Sequence, residues 1–240
     1  MKKGILTLLL VIAFLAGNAH FSHATLFLDD WGVSYGNWEP TGFGGSVNYV
    51  VEDWTGDPAS GYLDPGYGGD AFDVEAVYFG LDDDYAYFAF VTGFPLQGIG
   101  NYDAGDIAID WNGDGTYEYG IDTETGDLMS VTSWSDPYFT ASSPYQITSG
   151  TTIENLGANY SYDTFDGRYA IEAIVDISSL GGAGLLTTDS DIHWTMSCGN
   201  DAGGAPAPVP EPATMFLLGA GFIGMAGLGR KRLFNTSVVK

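Results

Sequence analysis

Between Thr25 and Asp201 apolar residues alternate with polar ones in short runs, and no stretch keeps a helical apolar period for longer than about ten residues. That periodicity predicts strands at 46–52, 72–79, 85–92, 106–111, 116–122, 128–132, 169–177 and 192–197. Gly, Asp, Asn or Pro clusters separate most of them, and Asp82-Asp83-Asp84 reads as a solvated hairpin turn. A single helical turn is expected over 176–180. The fold class that follows is all-β, at the size of one sandwich or barrel domain. Thirty-five glycines and 45 % hydrophobic residues fit that reading and exclude both a coiled coil and wholesale disorder. One cysteine excludes a disulfide scaffold. The repeated Glu-Ala pair in Phe72–Val77 and Tyr169–Ile174 is open to two readings, an internal duplication or chance in Val/Ile-rich strands.

Charge divides the chain into three parts. It carries 31 acidic and 7 basic residues, a net charge of −24. Lys2, Lys3, Arg230, Lys231, Arg232 and Lys240 lie at the ends, so Arg168 is the one base among the acids between Thr25 and Val209. Nucleic acid is thereby excluded as a partner, because phosphate binding needs clustered Lys and Arg. At the N-terminus, Lys2-Lys3, the apolar run Gly4–Ala16 and the small residues Ser22 and Ala24 flanking His23 have the order of a secretory signal peptide over 1–24. An uncleaved membrane anchor is the competing reading. Residues 25–201 form the body and 202–208 read as a Gly/Ala/Pro linker. Residues 213–229 then form an uncharged run of seventeen, about 26 Å as a helix, followed at once by Arg230-Lys231-Arg232 and a cytoplasmic tail over 233–240. The basic cluster predicts that this end stays cytoplasmic while the acidic body lies across the inner membrane.

Val209-Pro210-Glu211-Pro212, the glycine-rich apolar run and the cluster Arg230, Lys231 and Arg232 together resemble the PEP-CTERM sorting signal of exported bacterial proteins, over 209–232. The eight residues after the cluster depart from the usual pattern, in which the chain ends soon after the basic residues. The resemblance implies exosortase, a membrane protease-transpeptidase, as partner. It also implies a protein anchored in the membrane before processing and then placed at the cell surface or in the extracellular matrix. Two prolines keep the motif extended and remove backbone donors, which suits a protease substrate.

The body carries a second resemblance. Phe72–Gly93 with its acidic turn, Gly105–Asp110, Tyr169–Ala173 and Ser179–Gly181 are in an order similar to the family nine carbohydrate-binding modules and DOMON-like domains. That likeness implies an antiparallel jelly-roll-like β-sandwich, often holding calcium, in some members with aromatic rings that clamp a sugar.

Three chemistries are then candidates. Asp110, Asn112, Asp114, Thr116 and Glu118 place oxygens at the spacing of the first half of a calcium loop, with Gly115 at the sixth position but Ile121 rather than a carboxylate at the twelfth. A plain hairpin with positive φ at its glycines explains the same residues. Trp38, Trp54, Trp111 and Trp134, in or beside loop-like sequence, are candidate sugar-stacking rings for a polysaccharide, with packing in a β core as the alternative. His193 and Cys198, five apart, would fall on opposite faces of a continuous strand and offer no nucleophile–base pair; cross-linking remains open to Cys198. No acid pair is marked out for a polysaccharide hydrolase. The sequence therefore reads as a non-enzymatic exported component of the envelope, exopolysaccharide matrix or biofilm, with a calcium-stabilised carbohydrate-binding module as the alternative and a hydrolase third.

Overall fold

The computed structural model describes residues 26–51 and 69–208. Eleven strands in these residues form two antiparallel sheets. They are β1 (Ser46–Val51), β2 (Val74–Leu81), β3 (Tyr85–Thr92), β4 (Ile107–Asp110), β5 (Tyr119–Asp122), β6 (Asp127–Ser135), β7 (Gln146–Asn155), β8 (Tyr160–Phe165), β9 (Arg168–Asp176), β10 (Asp191–Thr195) and β11 (Ala202–Pro206). One sheet runs β1-β2-β3-β9-β8 and the other β11-β10-β4-β5-β6-β7. The helical pieces among the described residues are 3-10 turns of three or four residues, including the expected turn at Ile177–Leu180, whose N-terminal Asp176 side chain accepts the Ser178 amide.

The alternation of apolar residues decides what each face meets. Val77, Phe79 and Leu81 of β2, Phe88 and Phe90 of β3, and Ile171, Ala173 and Val175 of β9 point inward. There they pack on Ile107, Ile109, Ile121, Leu128, Ile192 and Trp194 of the second sheet. Residues of opposite parity in β2, β3 and β9 are buried as well, because Phe27, Leu28, Trp31 and Val33 cover the outer face of the first sheet. The molecule is therefore three layers deep, and β2 is buried at all eight positions. Small residues on this outer face make room for the cover: a Cβ at Gly80 would lie 2.7 Å from Cη2 of Trp31. Trp31 and Phe43 then pack with their ring centres 4.3 Å apart and their planes tilted by 37°.

One buried carboxylate fastens the cover. Glu172 Oε1 accepts the amides of Phe27 at 2.9 Å and Leu28 at 3.0 Å, and Oε2 accepts that of Leu26 at 2.9 Å. Backbone donors displaced from water onto a sheet face need such an acceptor, and a charged one makes the stronger bond.

Two strand expectations need correction. The segment expected to be a linker, 202–208, contains β11, paired with β10 through Asp191↔Pro206 to Thr195↔Ala202. Its Gly/Ala composition reflects close packing: a Cβ at Gly203 would lie 2.5 Å from Cγ2 of Val77. Strands β7 and β8 occupy 146–155 and 160–165, where no strand is predicted. The expected signal peptide and membrane helix lie outside the described residues; within them, no helix is long and apolar enough to cross a membrane.

Removing the fastening should detach the cover before the sandwich itself unfolds. Trp31→Ala should lower stability by about 3–5 kcal/mol, and Glu172→Ala should leave three amides unanswered at about 1–3 kcal/mol each. In both variants limited proteolysis is expected to open the 26–43 segment first, with the two-sheet core retained.

Candidate functional site

The outer face of the six-stranded sheet gathers the polar chemistry of the body. β4 ends at Asp110, which is only 3 % exposed. Its Oδ1 accepts the amides of Gly113 at 2.7 Å and Asp114 at 3.3 Å, and its Oδ2 accepts Gly115 at 2.8 Å. Asn112 Oδ1 answers the Asp114 amide and Asp114 Oδ1 the Thr116 amide, each at 2.9 Å. Gly113 and Gly115 take φ of 70° and 82°. The expected β4–β5 hairpin is present, and its acidic side chains hold it together. A Cβ at Gly113 would lie 2.1 Å from Oγ1 of Thr187, so the loop sits tightly on the turn before β10.

That contact brings in a partner invisible to local spacing. Asp191, the first residue of β10, stands in register with Asp110. The Tyr117 hydroxyl donates to Asp191, and burial together with Asp110 pushes the Asp191 carboxyl up to about 6. Burial likewise raises Glu118, with Asp110 and Asp114 adding to the effect. Asp191 Oδ1 and Glu118 Oε2 are both buried without a hydrogen-bond partner. Among the described residues no group of three or more His, Cys, Asp or Glu side chains is arranged to hold a metal ion. Any cation held here would have to draw on Asn112 and backbone oxygens as well.

The four tryptophans do not form one platform. Trp111 requires correction, since it is fully buried between the sheets, 6.2 Å from the Phe79 ring, with Nε1 donating to Gly182 O at 3.1 Å. It begins the hairpin loop in sequence, but its indole fills the core. Trp38 is half-buried in the N-terminal cover, edge-on to Tyr35 at 5.7 Å. Trp134 is half-buried on the second sheet, its Nε1 donating to Tyr117 O at 2.9 Å. Its ring fills the space over Gly120, where a Cβ would lie 2.6 Å from Cη2. Trp54 lies outside the described residues. Among the described residues the most exposed large ring is Tyr138, at 79 %.

His193 and Cys198 are kept apart. Ile192 and Trp194 point into the core, which leaves His193 on the outer face, its Nε2 2.9 Å from Ser142 O and its ring 5.9 Å from Tyr117. Burial lowers the imidazole pKa below its usual value. Cys198 is 1 % exposed among core residues, and burial pushes its thiol up.

Asp106 escaped sequence reasoning, because it is one acid among 31 until the chain folds, and Asp73, which with Asp70 at a strand start reads from the sequence as a solvated pair, is buried. Asp106 accepts the amides of Thr123 and Ile147, both at 2.9 Å, tying β4 to the loop after β5 and to β7; burial lifts it to about 6. Asp73, at 3 % exposure, is hydrogen-bonded to Asp201 and pushed up to about 6 by burial, with Glu75 next in weight.

Comparison with known proteins identifies one region. Residues 208–232 match the model of the PEP-CTERM protein-sorting motif, the segment that contains Val209, Pro210, Glu211, Pro212, Arg230, Lys231 and Arg232. No curated protein and no solved structure matches the chain, so the likeness of the body to carbohydrate-binding modules finds no counterpart there.

These carboxyls set a pH dependence of definite sign. Asp73, Asp106 and Asp191 bind protons more tightly folded than unfolded, so their contribution to stability is full below about 3.8 and is lost as pH rises through about 6. Melting temperature should fall between pH 4.5 and 7.5, and Asp73→Asn should flatten the slope. A profile that rises over this interval would contradict the assignment. The matched segment marks the chain as carrying the sorting signal of PEP-CTERM proteins, and that signal supports an exported protein processed by exosortase.

Proposed function

We propose that the chain is a non-enzymatic component of the cell envelope or extracellular polysaccharide matrix, built as a jelly-roll-like sandwich and delivered to the surface by exosortase. The observation that carries this reading is where the motif begins relative to the described strands. β11 ends at Pro206, the Ala207 amide donates to Ser190 O at 2.8 Å, and the sorting motif begins at residue 208. The motif thus starts beyond every described strand, so a cut within it removes none of them. The layered body supports a structural role: its half-buried His193 and buried Cys198 lie on different faces, and its carboxylates largely answer backbone amides.

Fractionation of the native host tests the sorting step. The unaltered chain should appear in surface or matrix material, shortened at its C-terminal end by mass spectrometry. Replacing Pro210, Glu211 and Pro212 by Ala should hold the full-length chain in the membrane fraction. Surface release of the triple variant with unchanged mass would refute exosortase sorting.

The alternative, a carbohydrate-binding module with calcium-stabilised loops, is favoured by the unpartnered oxygens of Glu118 and Asp191 beside Asp110. On this reading millimolar calcium raises the melting temperature, because a ligand selective for the folded state stabilises it by mass action. Asp191→Asn should remove the response. A rise that sodium chloride of equal ionic strength reproduces would reject a specific site.

A further inference from the structure

The two sheets end differently on the two sides of the sandwich. On one side β1 and β11 are the edges, and Asn48 bridges them: its Nδ2 donates to Ala207 O at 3.1 Å and to Pro206 O at 3.3 Å. On the other side lie β8 and β7. β8 is six residues long, carries Asp163, and turns through Asp166-Gly167 into β9. β7 is the longest strand, ten residues, and among the described residues nothing pairs with its outer edge. Thr148 to Ile153 are exposed at six successive positions, hence on both pleat faces. An edge with free amides and carbonyls is a template for another strand, and proteins normally blunt it with Lys, Pro or charge.

Here that blunting is missing. Residues 128–135 of β6 and 146–153 of β7 contain no charged residue and no proline, in a chain of net charge −24. Their side chains are already occupied with one another. Thr132 Oγ1 donates to Ser149 Oγ at 3.0 Å, and the Ser133 and Thr148 hydroxyls are 2.7 Å apart. The register slips at Thr132 of β6 and at Thr148 and Ile153 of β7, so β7 itself runs without an inserted residue over Ser149–Thr152, while its regular pairing with β6 covers Gly150–Thr152 opposite Val131, Ser130 and Met129. Gly150 sits inside this run, where a Cβ would lie 2.6 Å from Ser130 O.

The geometry points to the β7 edge as a self-association seam, along which a second copy of this chain adds its own β7 antiparallel and joins two six-stranded sheets into one. The occupant follows from charge and symmetry. Two bodies of like charge repel wherever acids meet, and this edge lets them approach without bringing any together. An antiparallel strand pair about a two-fold axis is self-complementary, so one uncharged edge supplies both halves. The flanking bulges confine regular pairing to Ser149–Thr152, which makes the dimer reversible and dependent on concentration. Salt strengthens it by screening the repulsion between bodies, whereas a contact made by ion pairs would weaken.

Sedimentation of the full chain in mild detergent tests the seam. Dimer should grow with protein concentration and increase several-fold between about 0.05 and about 0.5 M NaCl. Ser149→Glu and Thr151→Glu should each abolish it, while Thr164→Glu on β8 leaves it intact, with melting temperature reporting that all three remain folded. Amide exchange at 149–152 should slow as concentration rises. Monomer throughout, a dimer indifferent to both β7 substitutions, or amides protected equally at every concentration would each overturn the proposal. The last result would mean that the chain covers its own edge.

Discussion

The Glu172 carboxylate is the point on which the layering turns. It lies on the outer face of β9, in register with Ala89 of the central strand β3 and with Ser161 of β8, and holds three consecutive amides of the N-terminal segment. Those bonds set Phe27, Leu28 and Trp31 over a surface of Ala76, Tyr78, Ala89 and Val91 that would otherwise face water. A carboxylate in such a place is expensive to bury, and three backbone donors offset the loss of hydration. Burial raises its pKa while the three amides oppose the rise. The first sheet is therefore buried on both faces over its central strands, a condition more usual for parallel sheets between helices.

Charge is handled the same way throughout, by assigning acids to backbone donors. Asp82 Oδ1 accepts the amides of Asp84 and Tyr85 and holds the β2–β3 turn; Asp110 and Asp106 organise the second sheet. Among the described residues Arg168 is the one Lys or Arg. It binds Asp70 and Glu75 and lies 5.0 Å over the Tyr35 ring, linking the N-terminal cover, β2 and β9. With so little positive charge available, backbone amides are the main partners of these buried acids.

Much of this architecture could be read from residue order. Every predicted strand is present, with ends shifted by a few residues, because alternation against a buried face is a local signal. What escaped follows from three physical causes. β7 is exposed along most of its length and has no apolar face to alternate against, so its Ser/Thr pattern reads as loop. β8 is short and only half-buried, although Asp166-Gly167, with φ of 46° and 83°, marked the turn after it. β11 is built of Ala and Gly, a linker composition that here permits contact with Val74 and Val77. At the candidate site the hairpin loop was visible in its spacing. Asp191 was not, since some eighty residues separate it from Asp110 and only the β4–β10 pairing unites them. Trp111 misled for the opposite reason: its neighbours are loop residues, but its side chain continues the inward alternation of Ile107 and Ile109 in β4.

The position of β11 has a mechanical corollary. Six residues of chain run from the anchored Ala207 to Ala213, where the apolar segment starts, a reach of at most about 20 Å even fully stretched. On the proposed sorting route, a cut at Pro210–Pro212 falls within six residues of the end of β11 at Pro206, so the enzyme that makes it must accommodate the folded body beside its substrate.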